Sequence, residues 1–231
     1  MGLVTVKASQ IVASEPVDDN TAATVGYPNR FPQYLNFTPT AYSAERGRLC
    51  YRNSLVFYNQ VDYGMTDNWS VGAGVFIGPL VTLLSLTTKV SFPVSKAVRL
   101  GVQGQYFTGN TFIFNRDRFR SSYVQGMASI GTPQRNVTIG LGTILDQGRL
   151  GEVTLLTVGI VRKINPTLTF ISENRILVGG DVDVNLFLSG GVRFDRRRHS
   201  FDVALSVGYL PDLIRKITLF PYYSYQLCIG K

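Results

Sequence analysis

The chain has 231 residues, of which 45% are hydrophobic and 12% aromatic, and its length suits one large all-β domain. No run approaches the roughly 20 continuous apolar residues of a membrane-spanning helix, which excludes a helical membrane protein. The net charge of +8 does not indicate a nucleic-acid partner, because the clearest basic cluster, Arg196, Arg197 and Arg198 beside His199, falls at an expected hairpin turn. Such a turn can contact acidic lipid head groups instead.

Residues 1–30 carry no regular pattern, and we predict a partly disordered N-terminal leader or arm with no assigned role. The opening MGLVTVKASQIVASEPV has no charged region followed by a long apolar core, so no secretory signal is visible. Because an exported protein needs such a signal, we expect the numbering to begin on a mature chain. Residues 31–231 are assigned to a single β-barrel domain.

From Phe31 onward, strand-like runs of about a dozen residues are separated by turn signals. We predict twelve strands, with ten as the alternative, in an antiparallel up-and-down transmembrane barrel. The predicted strands lie near 31–41, 49–63, 68–78, 84–93, 97–108, 118–131, 136–146, 152–164, 167–178, 183–195, 199–210 and 214–227. An even number of strands places both termini on the same side, as in bacterial single-chain barrels.

The segment 58–78, YNQVDYGMTDNWSVGAGVFIG, shows the alternation most clearly. After a tight turn at 64–68, one face of the strand is apolar and carries Trp69, Val71, Ala73, Val75 and Ile77. The other face is small and polar and carries Ser70, Gly72, Gly74 and Gly78. In a transmembrane barrel the apolar face meets lipid, whereas in a soluble sandwich it packs on a second sheet.

Charged residues on the polar faces favour the barrel. Arg99 lies between the apolar Val98 and Leu100, and Asp202 lies between Phe201 and Val203. A sandwich core would not accept full charges, whereas a wet lumen would. Short connections also alternate with mostly longer ones, as on the two rims of outer-membrane barrels. A soluble lipid-binding β-barrel with its polar face outward is the alternative.

The stretch FTPTAYSAERGRLCYRNSLVFYNQVDYGMTDNWSVGAGV, with FISEN at 170–174 and SGGVRF at 189–194, resembles a family of uncharacterised outer-membrane β-barrel proteins from Bacteroidetes. The likeness covers about residues 31–227, and YGMTDNWSVGAG is its most specific part. It implies the barrel fold and an outer-membrane location rather than an activity.

Seven polar side chains are candidates for the lumen: Arg52, Tyr58, Asp62, Arg99, Gln103, Glu173 and Arg175. They would form either a charged constriction that selects solutes or an ion-pair network that supports a narrow barrel. We favour the network, because partly desolvated charges need partners. Since Phe170 marks the lipid face, Glu173 and Arg175 face inward, and we predict that Arg175 or Arg99 holds the Glu173 carboxylate.

Aromatic residues at strand ends predict girdles at the two membrane interfaces: Tyr51, Tyr63, Trp69, Tyr209, Tyr223 and Tyr225. The only histidine, His199, lies at a predicted turn, so a Ser/His hydrolase pair would have to form at the rim. No GxSxG, HExxH, Walker or CxxC motif occurs, and we predict no catalytic residue, no metal and no cofactor.

The two cysteines, Cys50 and Cys228, fall at opposite ends of the predicted barrel, beyond the ~7 Å between Cα atoms that a disulfide spans. We therefore expect free thiols. For function, we predict a narrow passive small-solute pore or a structural barrel of the bacterial outer membrane, with a barrel enzyme as a distant third. The expected partners are the lipid bilayer or lipopolysaccharide, with an envelope protein as a further candidate.

Overall fold

A computed structural model of the chain describes residues 29–79, 81–111, 118–146, 149–179, 182–209 and 217–230. The described residues form twelve strands: β1 (Leu49–Ser54), β2 (Tyr58–Thr66), β3 (Trp69–Ile77), β4 (Val81–Pro93), β5 (Val98–Thr111), β6 (Arg118–Thr132), β7 (Arg135–Asp146), β8 (Arg149–Asn165), β9 (Leu168–Gly179), β10 (Val182–Asp195), β11 (His199–Tyr209) and β12 (Ile217–Ile229). Each strand pairs with its neighbour in sequence, and β1 pairs antiparallel with β12, which closes the barrel. The predicted twelve-stranded antiparallel barrel is confirmed.

The outer surface of the barrel is apolar and the inner surface polar. Leu86, Leu141 and Leu219 are each at least 60% exposed, and many other outward Leu, Ile, Val and Phe side chains are also exposed. Inward positions of the strands carry buried polar side chains, such as Lys89 of β4 and Gln125 of β6. A soluble barrel would have the opposite distribution, so the outer face is built for lipid. No helix among the described residues is long and apolar enough to cross a membrane.

The two rims of the barrel differ. The turn rim carries the connections at 67–68, 94–97, 133–134, 166–167 and 196–198, and both Leu49 and Ile229 lie there because they are paired. The remaining connections, including the two longest, 112–117 and 210–216, lie at the opposite end of the strands, here called the loop rim, except that the β1–β2 turn at 55–57 falls short of it. This division matches bacterial barrels, in which short turns and both termini share one side.

Residues 31–41 are not the first strand of the barrel, and 49–63 is not one strand, so these two predictions were wrong. Residues 29–44 lie inside the lumen as a folded-back segment, here called the lumenal hairpin, with a single antiparallel bridge between Tyr34 and Pro39. The run 49–63 turns at 55–57 and gives both β1 and β2. The two errors cancel in the strand count.

The prediction of free thiols was also wrong, for the same reason. Because 31–41 is not a strand, β1 starts at the turn rim rather than at the loop rim, and Cys50 faces Cys228 in the β1–β12 ladder. The two cysteines form a disulfide, with Cα atoms 4.1 Å apart. The bond joins the two strands that close the barrel, across 178 residues of sequence.

Candidate functional site: the occluded lumen

The lumenal hairpin enters the barrel at the turn rim and returns to it. At its start, the Asn29 backbone N–H donates to Gln134 Oε1 in the β6–β7 turn over 2.8 Å. The two arms are joined by hydrogen bonds from Leu35 N to Thr38 O and from Thr40 N to Gln33 O. At its end, the chain leaves the lumen beside β2, where Arg46 and Gly64 form a parallel bridge. The turn-rim half of the lumen is therefore filled by the chain's own N-terminal segment.

The first arm is held by Arg193, a fully buried side chain of β10. Its guanidinium pairs with Asp202 of β11, with Nε 2.8 Å from Oδ1 and Nη2 2.9 Å from Oδ2. Nη1 donates to the Phe31 carbonyl over 2.8 Å and to Asn29 Oδ1 over 3.1 Å. The bidentate pair fixes the guanidinium plane, so the remaining donors point at the hairpin backbone.

The second arm is held by Lys89 of β4, which is 1% exposed. Its ammonium donates to three hairpin carbonyls: Gln33 O at 2.8 Å, Tyr42 O at 2.9 Å and Thr40 O at 3.3 Å. An ammonium has three N–H donors, and here all three are used on backbone oxygen. Lys89 therefore clamps the two arms together and to the barrel wall.

The tip of the hairpin is held by Glu173 of β9, which is completely buried. Its Oε2 accepts the Phe37 backbone N–H at 2.8 Å, and Arg175 Nε lies 3.3 Å from its Oε1. Arg52 Nη2 and the Tyr222 hydroxyl both donate to the Asn36 carbonyl, at 2.7 Å and 2.5 Å. Arg175 is thus the arginine that holds Glu173.

Glycines on the wall provide the space that the hairpin occupies. A Cβ on Gly159 of β8 would lie 2.1 Å from Leu35 Cδ1, and a Cβ on Gly64 of β2 would lie 2.7 Å from the Ala44 carbonyl oxygen. Leu35 packs with Val161 and Ile171 in a small buried apolar cluster. The hairpin is therefore seated in a site shaped for it.

At Ala41 the hairpin contacts β4 and β6, and a cavity lies on each side of this contact. There the Ala41 backbone N–H donates to Ser129 Oγ at 3.0 Å, and its carbonyl accepts from Ser91 Oγ at 2.6 Å. On the turn-rim side lies a cavity of about 300 Å³ lined by residues that include Pro32, Tyr42 and Arg99. On the other side lies a cavity of about 240 Å³ that Gln103 and Gln125 help to line. Both cavities lie along the same part of the wall.

The structure places all seven predicted lumenal residues on the inner face. Asp62 Oδ1 accepts from Gln60 Nε2 at 2.9 Å and from the Tyr34 hydroxyl at 3.4 Å. Burial, and then the nearby Asp62 charge, raise the pKa of Tyr34 well above its usual value, so this hydroxyl keeps its proton. Tyr58 contacts Ser85, and Gln103 lines the smaller cavity.

Arg99, the other predicted partner of Glu173, lies elsewhere in the lumen. Its guanidinium is near the turn rim, where it donates to Ser91 Oγ at 2.9 Å and stacks on the Tyr42 ring at 5.5 Å. Arg193 and Lys89, which each donate several hydrogen bonds to the hairpin, and Asp202, which orients Arg193, were not among the predicted site residues. Their position as charges on a polar strand face was the available signal, in SGGVRF for Arg193 and in LTTKVSF for Lys89.

The loop-rim half of the lumen is different in character, because inward positions there are apolar. A cavity of about 440 Å³ is lined by Leu83, Phe107, Val153, Leu155 and Leu177, with Tyr123 and Gln105 among the few polar neighbours. Phe37 at the hairpin tip helps to line the adjoining smaller cavity, together with Phe107 and Leu155. The lumen therefore changes from charged to apolar across the level of the hairpin tip.

The predicted interface aromatics lie at several levels. Tyr63 and Trp69 are about two-fifths exposed near the turn rim, where Trp69 Nε1 donates to Thr88 Oγ1. Tyr51 and Tyr225 pack together on the outer surface with ring centroids 6.4 Å apart, and Tyr209 ends β11 at the loop rim. Tyr223 lies midway along β12, beside the β1–β2 turn. His199 Nδ1 lies 2.6 Å from the Tyr225 hydroxyl on the outside of the barrel, not beside a serine.

The fold is that of solved porins. A KdgM porin superposes with a TM-score of 0.55 at 9% identity, over 80% of this chain and 99% of that porin, and so does the KdgM porin in complex with disordered oligogalacturonate. A NanC porin superposes with a TM-score of 0.51 at 10% identity, over 80% of this chain and 97% of that one. The chain is thus a porin-like twelve-stranded barrel. Neither a family model nor a curated protein sequence matches it.

Proposed function

We propose that the protein is a narrow passive pore for small solutes in a bacterial outer membrane, and that the lumenal hairpin is its gate. The observation that carries this proposal is how the hairpin is held. Most of its hydrogen bonds with the wall join a wall side chain and a backbone group of the hairpin, as at Lys89, Arg193 and Glu173. Water in a polar lumen can replace such bonds, and the apolar surface that release would expose is that of a few side chains, Phe31 and Leu35 among them.

The polar groups beside the hairpin support a water path. Both side-chain polar atoms of Gln125, which is completely buried, and Oε1 of Gln103 have no hydrogen-bond partner among the described residues. Buried amides of this kind need hydrogen bonds, and water supplies them in a polar cavity. A passage along β5 and β6 would join the two cavities once the hairpin near Ala41 moved aside.

The disulfide supports export. Disulfides form and persist in oxidising compartments such as the bacterial periplasm, and Cys50 and Cys228 lie at the turn rim, which is the periplasmic side in bacterial barrels. The location in the outer membrane, contact with lipid or lipopolysaccharide, and membership of the Bacteroidetes family stay proposals. The absence of enzyme activity is likewise a proposal, supported by the placement of His199 outside the barrel.

Planar-bilayer conductance tests the gate. Replacing Lys89 by Met removes two short charge-assisted hydrogen bonds to the hairpin, worth about 1.5–3 kcal/mol each before the desolvation of the ammonium is offset. We expect rare openings for the wild type and frequent openings for Lys89→Met. Lys163→Met is the matched control, because Lys163 pairs with Asp195 instead, at 2.5 Å.

A structural barrel is the second candidate, favoured by the close seating of Leu35 on Gly159. It predicts no resolvable current from the wild type or from Lys89→Met. Correct folding of both proteins, shown by heat-modifiable migration on a gel, would make that result decisive against the pore.

A further inference from the structure

The β1–β2 hairpin is much shorter than the rest of the barrel wall. β1 has 6 residues, whereas β4 to β12 have 11 to 17. The other strand of the hairpin, β2, has 9 residues and continues past the level of Leu49 to Thr66 at the turn rim. Nine residues extend about 30 Å along a strand, or about 23 Å in height at a tilt of about 40°. The apolar band of such barrels is about 25 Å tall. The β1–β2 turn therefore lies at the loop-rim boundary of the apolar band, below the level that the longer strands reach.

The turn itself is apolar, as this depth requires. It consists of Leu55, Val56 and Phe57, with Val56 59% and Phe57 44% exposed. Leu55 and Val56 adopt φ of 53° and 67°, a region that favours Asn and Gly and disfavours a β-branched residue. In water Asn-Gly would suit this turn better. Exposed apolar side chains at such a costly backbone position indicate an apolar environment around the turn.

Three backbone groups of the turn are hydrogen-bonded within the protein. Leu55 N donates to the Tyr223 carbonyl at 3.0 Å, Ile77 N donates to the Phe57 carbonyl at 2.9 Å, and Asn53 Nδ2 donates to the Val56 carbonyl at 3.0 Å. These bonds anchor the turn to β12 on one side and to β3 on the other. The short hairpin is therefore a built feature of the wall.

Above this turn, β12 has a free edge. The β1–β12 ladder ends at Ser54 and Ser224, and no described residue pairs with 217–222 on the β1 side. Successive residues of a strand direct their backbone groups to alternate neighbours. Since the Tyr223 carbonyl faces β1, the Pro221 nitrogen faces the free edge, and proline has no N–H to leave unpaired there. With β1 and β2 missing at this level, β12 faces the end of β3 at Ile77, about three strand spacings or about 14 Å away.

The gap leads to the apolar half of the lumen. Phe187 and Phe220 lie together on the inner face, since a Cβ on Gly208 would be 3.2 Å from the first ring and 3.0 Å from the second. The Arg175 guanidinium stacks on Phe187 at 5.1 Å and on Phe37 at 4.4 Å, so its charge is covered by two rings. Beyond them lies the cavity of about 440 Å³ lined by Leu83, Phe107 and Leu155.

We propose that the loop-rim half of the lumen binds small apolar molecules and exchanges them with the membrane through a lateral opening between β12 and β3, above the β1–β2 turn. This proposal extends the proposed pore by naming a second substrate class and a second route, and the route does not require the lumenal hairpin to move. The hairpin tip serves as its floor. The cavity accepts an uncharged molecule of one or two rings, because its polar neighbours are neutral groups such as Gln105 and the Tyr123 hydroxyl.

Uptake of N-phenyl-1-naphthylamine, a dye that fluoresces in lipid, tests the route in Gram-negative cells that express the full chain. One variant lengthens the short hairpin, with Val-Ser-Val-Ser inserted after Ser54 and Ser-Val-Ser-Val before Tyr58, so that Val faces lipid and Ser the lumen. We expect the wild type to accelerate uptake about fivefold over cells without it, and the lengthened hairpin to abolish that gain, because it covers the apolar path. The same residues inserted in the β4–β5 turn after Val94 are the control and should change nothing.

Equal uptake by the wild type and by a correctly folded lengthened variant would overturn the proposal. If the lengthened variant does not fold, quenching by brominated phospholipid in nanodiscs decides instead. Two chains carry one tryptophan each in a Trp69→Phe background: Phe220→Trp beside the gap and Phe107→Trp on the opposite inner wall. Strong quenching at 220 with little at 107 supports a lateral opening, and little quenching at both refutes it.

The two proposals fail separately. Conductance without a gain in dye uptake would support the pore and refute the lateral route. Dye uptake that depends on the gap, with no conductance from Lys89→Met, would support the lateral route and refute the gated pore.

Discussion

Replacing Glu173 by Gln should release the tip of the lumenal hairpin. The carboxylate accepts the Phe37 backbone N–H at 2.8 Å and pairs with Arg175 at 3.3 Å, and it is completely buried. A hydrogen bond to a charged group contributes about 1.5–3 kcal/mol, against about 1 kcal/mol for a neutral one. The amide also leaves Arg175 without its ion partner. We estimate a net loss of about 2 kcal/mol, which is about 30-fold in the docking equilibrium.

Hydrogen exchange at the Phe37 and Thr38 amides measures this change directly. Both amides donate to the Glu173 carboxylate, so their protection reports docking of the tip. We expect protection at both to fall about 30-fold in Glu173→Gln while the strand amides are unaffected. Glu45→Gln is the control, since Glu45 is 65% exposed and pairs with Arg48. Unchanged protection at Phe37 would refute the account of how the tip is held.

Three further changes have defined outcomes. Replacing both Cys50 and Cys228 by Ser should lower the free energy of unfolding by up to about 5 kcal/mol, the chain-entropy value for a loop of this length, measured by urea titration of the folded barrel in detergent; an unchanged midpoint would contradict it. Gly159→Val should displace Leu35, which a Cβ would approach to 2.1 Å, and raise the frequency of openings in conductance recordings, whereas Gly190→Val, at a position with open space, should not. Replacing Leu55 and Val56 by Asn and Gly relieves the positive φ but places an amide in hydrocarbon, so the barrel should lose stability in lipid vesicles; greater stability there would show that the turn meets water.

The sequence predicted the barrel because period-two alternation survives in β2 to β12, where one face meets lipid and the other the lumen. Strands such as HSFDVALSVGY cannot satisfy that pattern any other way. The same alternation predicted the inward placement of Glu173 beside Arg175, because two residues on one strand, two positions apart, share a face.

The first strand was predicted wrongly because residues 31–41 are surrounded by the wall on all sides, so their polarity pattern does not report a lipid face. Pro32 and Pro39 were the signal against a strand, since each removes a ladder donor. The turn at 55–57 was missed because Leu-Val-Phe contains no turn residue. Its apolar composition follows from its depth in the membrane, which one strand read alone does not reveal.

The sequence contains a signal for the apolar cavity, but the overall alternation of apolar and polar residues made it hard to see. Paired apolar residues such as Leu83 with Leu84 and Leu155 with Leu156 occur in the loop-rim halves of their strands. At such pairs both faces of a strand are apolar, which a polar lumen does not require. Which wall side chains hold the lumenal hairpin depends on where the hairpin lies, and no strand pattern specifies that position.

The most direct test of the gate is to lock it. A Cβ on Gly101 would lie 3.4 Å from Ala41 Cβ, close to the separation of about 3.8 Å in a disulfide, so Ala41→Cys with Gly101→Cys should cross-link the hairpin to β5 after a shift of a few tenths of an ångström. In planar bilayers, in the Lys89→Met background, we expect no openings when this pair is oxidised and frequent openings after reduction, with Lys89→Met alone open under both conditions. Equal conductance in the oxidised and reduced states of the cross-linked protein would contradict the claim that the lumenal hairpin closes the pore.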